Sequence, residues 1–101
     1  MSVTEALNEY EAIYIAQATM DEEAVKTLNE RFAQTVGNFG GQITATEPWG
    51  RRTLAYPIKK QFEGQYILQK FQMRPDGASE LERFFRLNEN ILRYLIVRAD
   101  D

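Results

Sequence analysis

Neither cysteine nor histidine occurs among the 101 residues. Without cysteine there are no disulfide staples, thiolate metal sites or thiol nucleophiles. Without histidine the Ser-His-Asp and Cys-His systems, most zinc chemistry and an ordinary imidazole pH switch are excluded as well. Carboxylates, Lys, Arg and Tyr are what remain for catalysis. Long apolar runs are also missing, and no stretch approaches the roughly 20 residues of a membrane-spanning helix. Residues 1–9 carry Glu5 and Glu9 with no Lys or Arg, unlike the cationic start of a secretory signal. The expectation is a soluble, cytoplasmic protein with no membrane association.

What is present is ordinary for a globular chain: 44% hydrophobic and 27% charged residues, with only 3 Pro and 6 Gly. Disorder and collagen-like architecture do not fit this composition. The length suits one domain with a single core, read here as residues 10–101 behind a flexible N-terminal extension, residues 1–9.

Alternating aromatic and β-branched residues predict a strand over 10–16, covered on both faces. Val25, Leu28, Phe32 and Val36 then fall at spacings of three and four, so 21–38 should be an amphipathic helix, capped by Asp21 or by a Thr19/Glu22 box and stopped before Gly40-Gly41. Alternation resumes over 42–46 and 51–58, one long strand broken by a bulge or bend at Pro48-Trp49-Gly50, and Pro57 argues for a sheet edge. Residues 59–64 read as a hairpin turn. Residues 65–73 form the next strand, with Ile67, Phe71 and Met73 on one face and Tyr66, Leu68 and Lys70 on the other. A loop at 74–77, a helix over 79–87 and a strand over 91–98 complete the chain.

The order β-α-β-β-α-β is that of an α+β, ferredoxin-like sandwich: a four-stranded antiparallel sheet with both helices on one face. Its other face, carrying Tyr and Leu, is expected to meet a partner.

The net charge of −3 conceals two opposed regions. Residues 1–40 hold seven acids against Lys26 and Arg31, whereas residues 48–74 hold six bases against Glu63 alone. A solvated edge strand protected by its charges would explain the basic stretch. So would a phosphate-contacting edge: Arg51 and Arg52 point to opposite sides of a strand, Lys59 and Lys60 extend the charge to the hairpin, and Trp49, Tyr56, Phe62 and Tyr66 offer rings for unpaired bases.

The run Gly50-Arg51-Arg52-Thr53-Leu54-Ala55-Tyr56-Pro57-Ile58-Lys59 resembles the signature segment of the S-six family of bacterial ribosomal proteins. Tyr10-Glu11 opening the first strand, the strand after Gly64 and the run Leu87-Asn88-Glu89-Asn90-Ile91-Leu92-Arg93 match the same layout, so the resemblance spans about 10–98. It implies a ferredoxin-like structural component of the small ribosomal subunit, without enzymatic activity or cofactor. Such a component binds the central domain of small-subunit ribosomal RNA as a heterodimer with the small basic ribosomal protein S-eighteen. Carried over, the RNA-binding residues are Arg51, Arg52, Tyr56, Lys59, Arg86 and Arg93, to which the charge pattern adds Lys60. The partner is expected on Tyr66, Leu68 and Lys70. Thr53 departs from the larger polar residue usual in the family, and partner binding is expected to rest on the sheet and edge rather than on a C-terminal tail.

Three alternatives share the element order. An RNA-recognition motif needs a basic and two aromatic positions where this chain has Glu63, Gln65 and Lys70. An acylphosphatase-like small hydrolase has Arg and Asn available but no glycine-rich phosphate loop ahead of a helix. A ligand-sensing regulatory domain usually hangs on a larger chain, and no linker to one is visible.

Overall fold

The computed structural model of the chain describes residues 7–99. Its elements are β1 (Asn8–Gln17), α1 (Glu22–Gly37), β2 (Gln42–Ile58), β3 (Gln61–Met73), α2 (Ala78–Leu87) and β4 (Ile91–Arg98), with a short 3-10 turn Pro75–Gly77 ahead of α2. The four strands form one sheet in the order β2-β3-β1-β4, every neighbouring pair antiparallel. Element order and sheet are those expected.

Of the predicted extension, residues 1–6 lie outside the described residues, and Asn8 and Glu9 already belong to β1, pairing with Met73 and Gln72.

Helix α1 forms where the apolar spacing places it. Asp21, not Thr19, caps it, accepting the Ala24 amide at 2.8 Å, and Glu22 and Glu23 in the first turn complement the helix dipole. Leu28, Phe32 and Val36 go down into the core with Leu81 and Phe85 of α2. Phe32 is the centre, its ring 5.5 Å from Tyr14, 5.2 Å from Phe71 and 5.7 Å from Phe85.

Polar groups under the helices are satisfied as a chain. Thr46 donates to Gln69 Oε1 (2.6 Å), the Gln69 amide donates to the Tyr14 hydroxyl (2.8 Å), and that hydroxyl donates to Asn29 Oδ1 (2.7 Å). Burial pushes the Tyr14 phenol well above its ordinary pKa, against a smaller lowering by the Gln69 bond, so it stays protonated as the chain requires. Edge strand, central strands and helix are thereby tied in one register.

Two expectations need correction. β1 is not covered equally on both faces. Tyr10, Ala12, Tyr14 and Ala16 are buried beneath the helices, but on the other face Ile15 is buried only because Leu54 and Leu92 pack on it, while Ile13 is half-exposed. The hairpin turn is also shorter than 59–64. Ile58 pairs with Gln61, leaving Lys59 and Lys60 as a two-residue loop with φ of 52° and 65°, the primed turn that matches strand twist. β3 therefore starts four residues earlier than expected.

Edge strand β2 is more irregular than one bend, with register shifts at Ile43/Ala45, Pro48/Gly50 and Thr53/Ile58. Gly50 takes φ +83° at the second, a conformation that favours glycine. The third is the largest. Pro57 has no amide to offer the ladder, and residues 54–57 bow away from β3 opposite Phe62. That bow brings Leu54 over Ile15 and Leu92 and carries the hairpin tip toward the start of β4. At Gly64 the hairpin passes so close to β1 that a Cβ would collide with the Ile15 side chain.

Candidate functional site

Strand alternation and the bow sort the basic and aromatic residues of the signature into three places. Arg51 lies on the helix side. Its guanidinium donates to the Ala18 carbonyl at 2.9 Å and approaches the Glu63 carboxylate at 3.9 Å, in a shallow cleft shared with Thr53 and Lys60. Gln65 grips the same loop, its amide donating to the carbonyls of Met20 (2.8 Å) and Gln17 (3.2 Å). Arg51 is thus partly occupied in holding the β1–α1 connection.

Arg52 faces the opposite side, as expected from its neighbour. Its guanidinium sits 5.1 Å from the Trp49 ring and 5.9 Å from the Tyr66 ring, and those two rings are stacked on each other at 6.4 Å and 12°. The bulge at Pro48/Gly50 sets Trp49 opposite Tyr66 on this face. Arg52 therefore joins Tyr66, Leu68 and Lys70 on the open sheet face rather than the other basic residues.

The third place is the hairpin tip. Lys59 comes down beside Arg86 at the end of α2 and Arg93 of β4, and with Tyr94 they line a cleft of about 250 Å³ floored by Phe85 and Leu92. Arg93 also lies 5.4 Å from the Tyr56 ring, a cation–π contact on the bowed segment. Three cations from three parts of the fold, Lys59 far in sequence from the other two, converge here. Among the described residues, no carboxylate comes within ion-pairing distance of Lys59, Lys60, Arg86 or Arg93. An uncompensated group of this kind attracts anions, and the planar guanidinium forks suit phosphate oxygens.

The open face carries apolar side chains that the sequence did not single out. Leu68 is only 7% exposed, covered by its neighbours, so it offers little area. Leu95 and Val97 on β4 are 58% and 42% exposed instead. They lie in register with Ile13 and Glu11 of β1, which pair on the other side with Leu68 and Lys70. An apolar ridge therefore runs along the uncovered side, edged by Glu11, Lys70 and Glu47. The signal was in the sequence: Leu95 and Val97 alternate with Tyr94 and Ile96, and one of the two sets has to face away from the helices.

Among the described residues there is no group of three or more acidic side chains placed to hold a metal ion, and no helix is long and apolar enough to cross a membrane.

Comparison with known proteins agrees with this architecture. The family model described as ribosomal protein S6 matches residues 9–98. The small ribosomal subunit protein bS6 of Caldanaerobacter subterraneus subsp. tengcongensis is 45% identical over 95 residues, covering 94% of this chain and 100% of the relative. The bS6 protein of Thermoanaerobacter pseudethanolicus is 41% identical over the same share of both chains. Among solved structures, the crystal structure of 30S ribosomal protein S6 from Thermotoga maritima superposes with a TM-score of 0.86 at 32% identity, covering 93% of this chain and 89% of that one. These relatives are structural proteins of the ribosome and not enzymes, which sets the hydrolase alternative aside. By sequence along nearly its whole length and by fold, the chain belongs to the ribosomal protein S6 family of the small ribosomal subunit.

Proposed function

We propose that the chain binds the central domain of small-subunit ribosomal RNA in the cytoplasmic ribosome, cooperatively and as a heterodimer with the small basic ribosomal protein S-eighteen. The observation that carries the RNA part is the convergence of Lys59, Arg86 and Arg93 at the hairpin tip with no carboxylate within ion-pairing distance among the described residues. Tyr56 and Lys60 flank that group, and Arg51 adds a cation from the separate cleft on the helix side. The apolar ridge of Leu95 and Val97, beside Tyr66, Leu68, Lys70 and the Arg52 stack, supports a protein partner on the open face.

Cooperativity follows from charge. A chain of net charge −3, with seven acids in its first 40 residues, is repelled by RNA at long range, so its local cations bind weakly and with strong salt dependence. A basic partner cancels that repulsion and extends the complementary field.

The test is a salt series of binding to a central-domain transcript, with and without the partner. Tighter binding by the pair is expected. Charge reversal at Lys59 or Arg86 should weaken binding and lower the salt slope by about one. Leu95→Glu should reduce the partner's effect roughly tenfold or more and leave RNA binding by the isolated chain unchanged. Equal affinity of the isolated chain and the pair at physiological salt would defeat the proposal.

A further inference from the structure

Two of the arginine–aromatic contacts among the described residues, those of Arg52 and Arg93, are built differently. Around Arg52 the stack has two rings, Trp49 and Tyr66, nearly parallel with centroids 6.4 Å apart. Around Arg93 it is half-built. Tyr56 receives the guanidinium at 5.4 Å, the residue is 52% exposed, and no second ring packs on it among the described residues. Beside it lies the cleft of Lys59, Arg86 and Arg93, whose volume of about 250 Å³ falls below the ~300–1,000 Å³ of ordinary small-molecule pockets. Its three cations suit the successive phosphates of a nucleic-acid strand.

We infer that the hairpin tip is a subsite for a single unpaired nucleotide within an RNA strand, its base stacked on the free face of Tyr56 and its flanking phosphates held by Lys59, Arg86 and Arg93. The inference rests on the RNA-binding reading above and adds what that reading leaves open, namely that the nucleotide is unstacked and where its base goes. A duplex covers the faces of its bases, so Tyr56 can contribute only where a base is displaced from the helix. The stack is expected to tolerate any base, since each has a π face. The bow at 54–57 is what brings the ring to the cleft, and the two lysines in the left-handed region aim the tip at it. Strained residues of this kind gather where a ligand is held.

The test measures affinity for the central-domain transcript in the presence of the basic partner, and for a uridine octamer and an RNA duplex of the same length. Tyr56→Leu is expected to weaken transcript and octamer binding roughly tenfold, as loss of one stacked base does, without changing the salt slope or duplex binding. Tyr56→Trp should restore affinity. Arg86→Gln should weaken all three and lower the slope by about one. Circular dichroism of each variant separates loss of binding from loss of fold. Uridine monophosphate should not displace the transcript, and displacement would make this a free-nucleotide site instead. If the wild-type pair binds the transcript and Tyr56→Leu binds it equally well, the subsite is wrong while the RNA-binding reading stands. If the wild-type pair does not bind the transcript, both fall.

Discussion

The two faces of the sheet are made to opposite specifications. Under the helices, Phe32, Tyr14, Phe71 and Phe85 interlock ring on ring, and the Thr46–Gln69–Tyr14–Asn29 chain leaves no buried side-chain polar atom without a partner among the described residues. On the open face only Ile15, Leu54 and Leu92 form a small cluster, and Leu95 and Val97 stay in contact with solvent. Burying one such side chain stabilises by about 1.5–3 kcal/mol, so this face forgoes stability that a third layer would supply. The difference assigns folding to one side and recognition to the other. A substitution under the helices should therefore move stability, and one on the open face should move binding.

The largest effect expected on this division comes from Phe32→Ala. It removes the ring that touches Tyr14, Phe71, Phe84 and Phe85, and should cost about 3–5 kcal/mol in denaturant unfolding. RNA affinity, measured on whatever remains folded, should not change. A variant that lost affinity in proportion to a small loss of stability would blur the two faces into one.

Tyr14→Phe should come next, at about 1–2 kcal/mol, because Gln69 and Asn29 each lose a partner. This substitution also has a pH signature. The Tyr14 pKa is raised in the folded state, so the unfolded chain releases its proton first as pH climbs through the ordinary tyrosine value of about 10. Tyr14's contribution is thus fully present below that pH and is lost above it. Urea midpoints between pH 7 and 11 should fall more steeply for the wild type than for Tyr14→Phe, narrowing the gap between them. Parallel curves would mean that the phenol ionises as easily folded as unfolded.

The division between faces was partly legible in the chain. The alternation of Ile67, Phe71 and Met73 against Tyr66, Leu68 and Lys70 sorted β3 correctly, and the three-and-four spacing of Val25, Leu28, Phe32 and Val36 located the face of α1 that meets it. β4 ends where its apolar run ends. The recognition side was harder to read. Strand β4 is apolar at nearly every position, so the exposure of Leu95 depends on where the helices lie and not on its neighbours in sequence. In the signature, Arg51, Arg52, Tyr56 and Lys59 lie within nine residues of sequence, yet alternation and the bow send them to three places. Arg86 and Arg93, more than 25 residues away, end beside Lys59 because the hairpin curls. The hairpin was read as 59–64 rather than as the Lys59-Lys60 pair alone for a local reason: a primed two-residue turn is recognised by Asn-Gly or its equivalents, and nothing in two lysines announces one.

That mismatch supplies the smallest and most discriminating prediction. Lys59 and Lys60 both hold positive φ, which side chains with a Cβ adopt at a cost of about 1 kcal/mol or more each. Lys59→Asn with Lys60→Gly installs the residues that the turn prefers, and should stabilise the chain by about 1 kcal/mol, a rise in Tm of about 4–8 °C for a domain of this size. The same change removes two cations from the proposed RNA contact, so affinity should fall and the salt slope should drop by about one to two. Opposite signs in the two assays would mean that the strained lysines are kept for what they bind. If the double variant gained stability and kept its affinity, the tip would be an ordinary turn with an unfavourable sequence, and recognition would have to reside wholly on Arg86, Arg93 and the open face. If it lost stability, the lysines would be held in place by their own packing, and the separation of folding from recognition would fail at the one point where the hairpin joins the two.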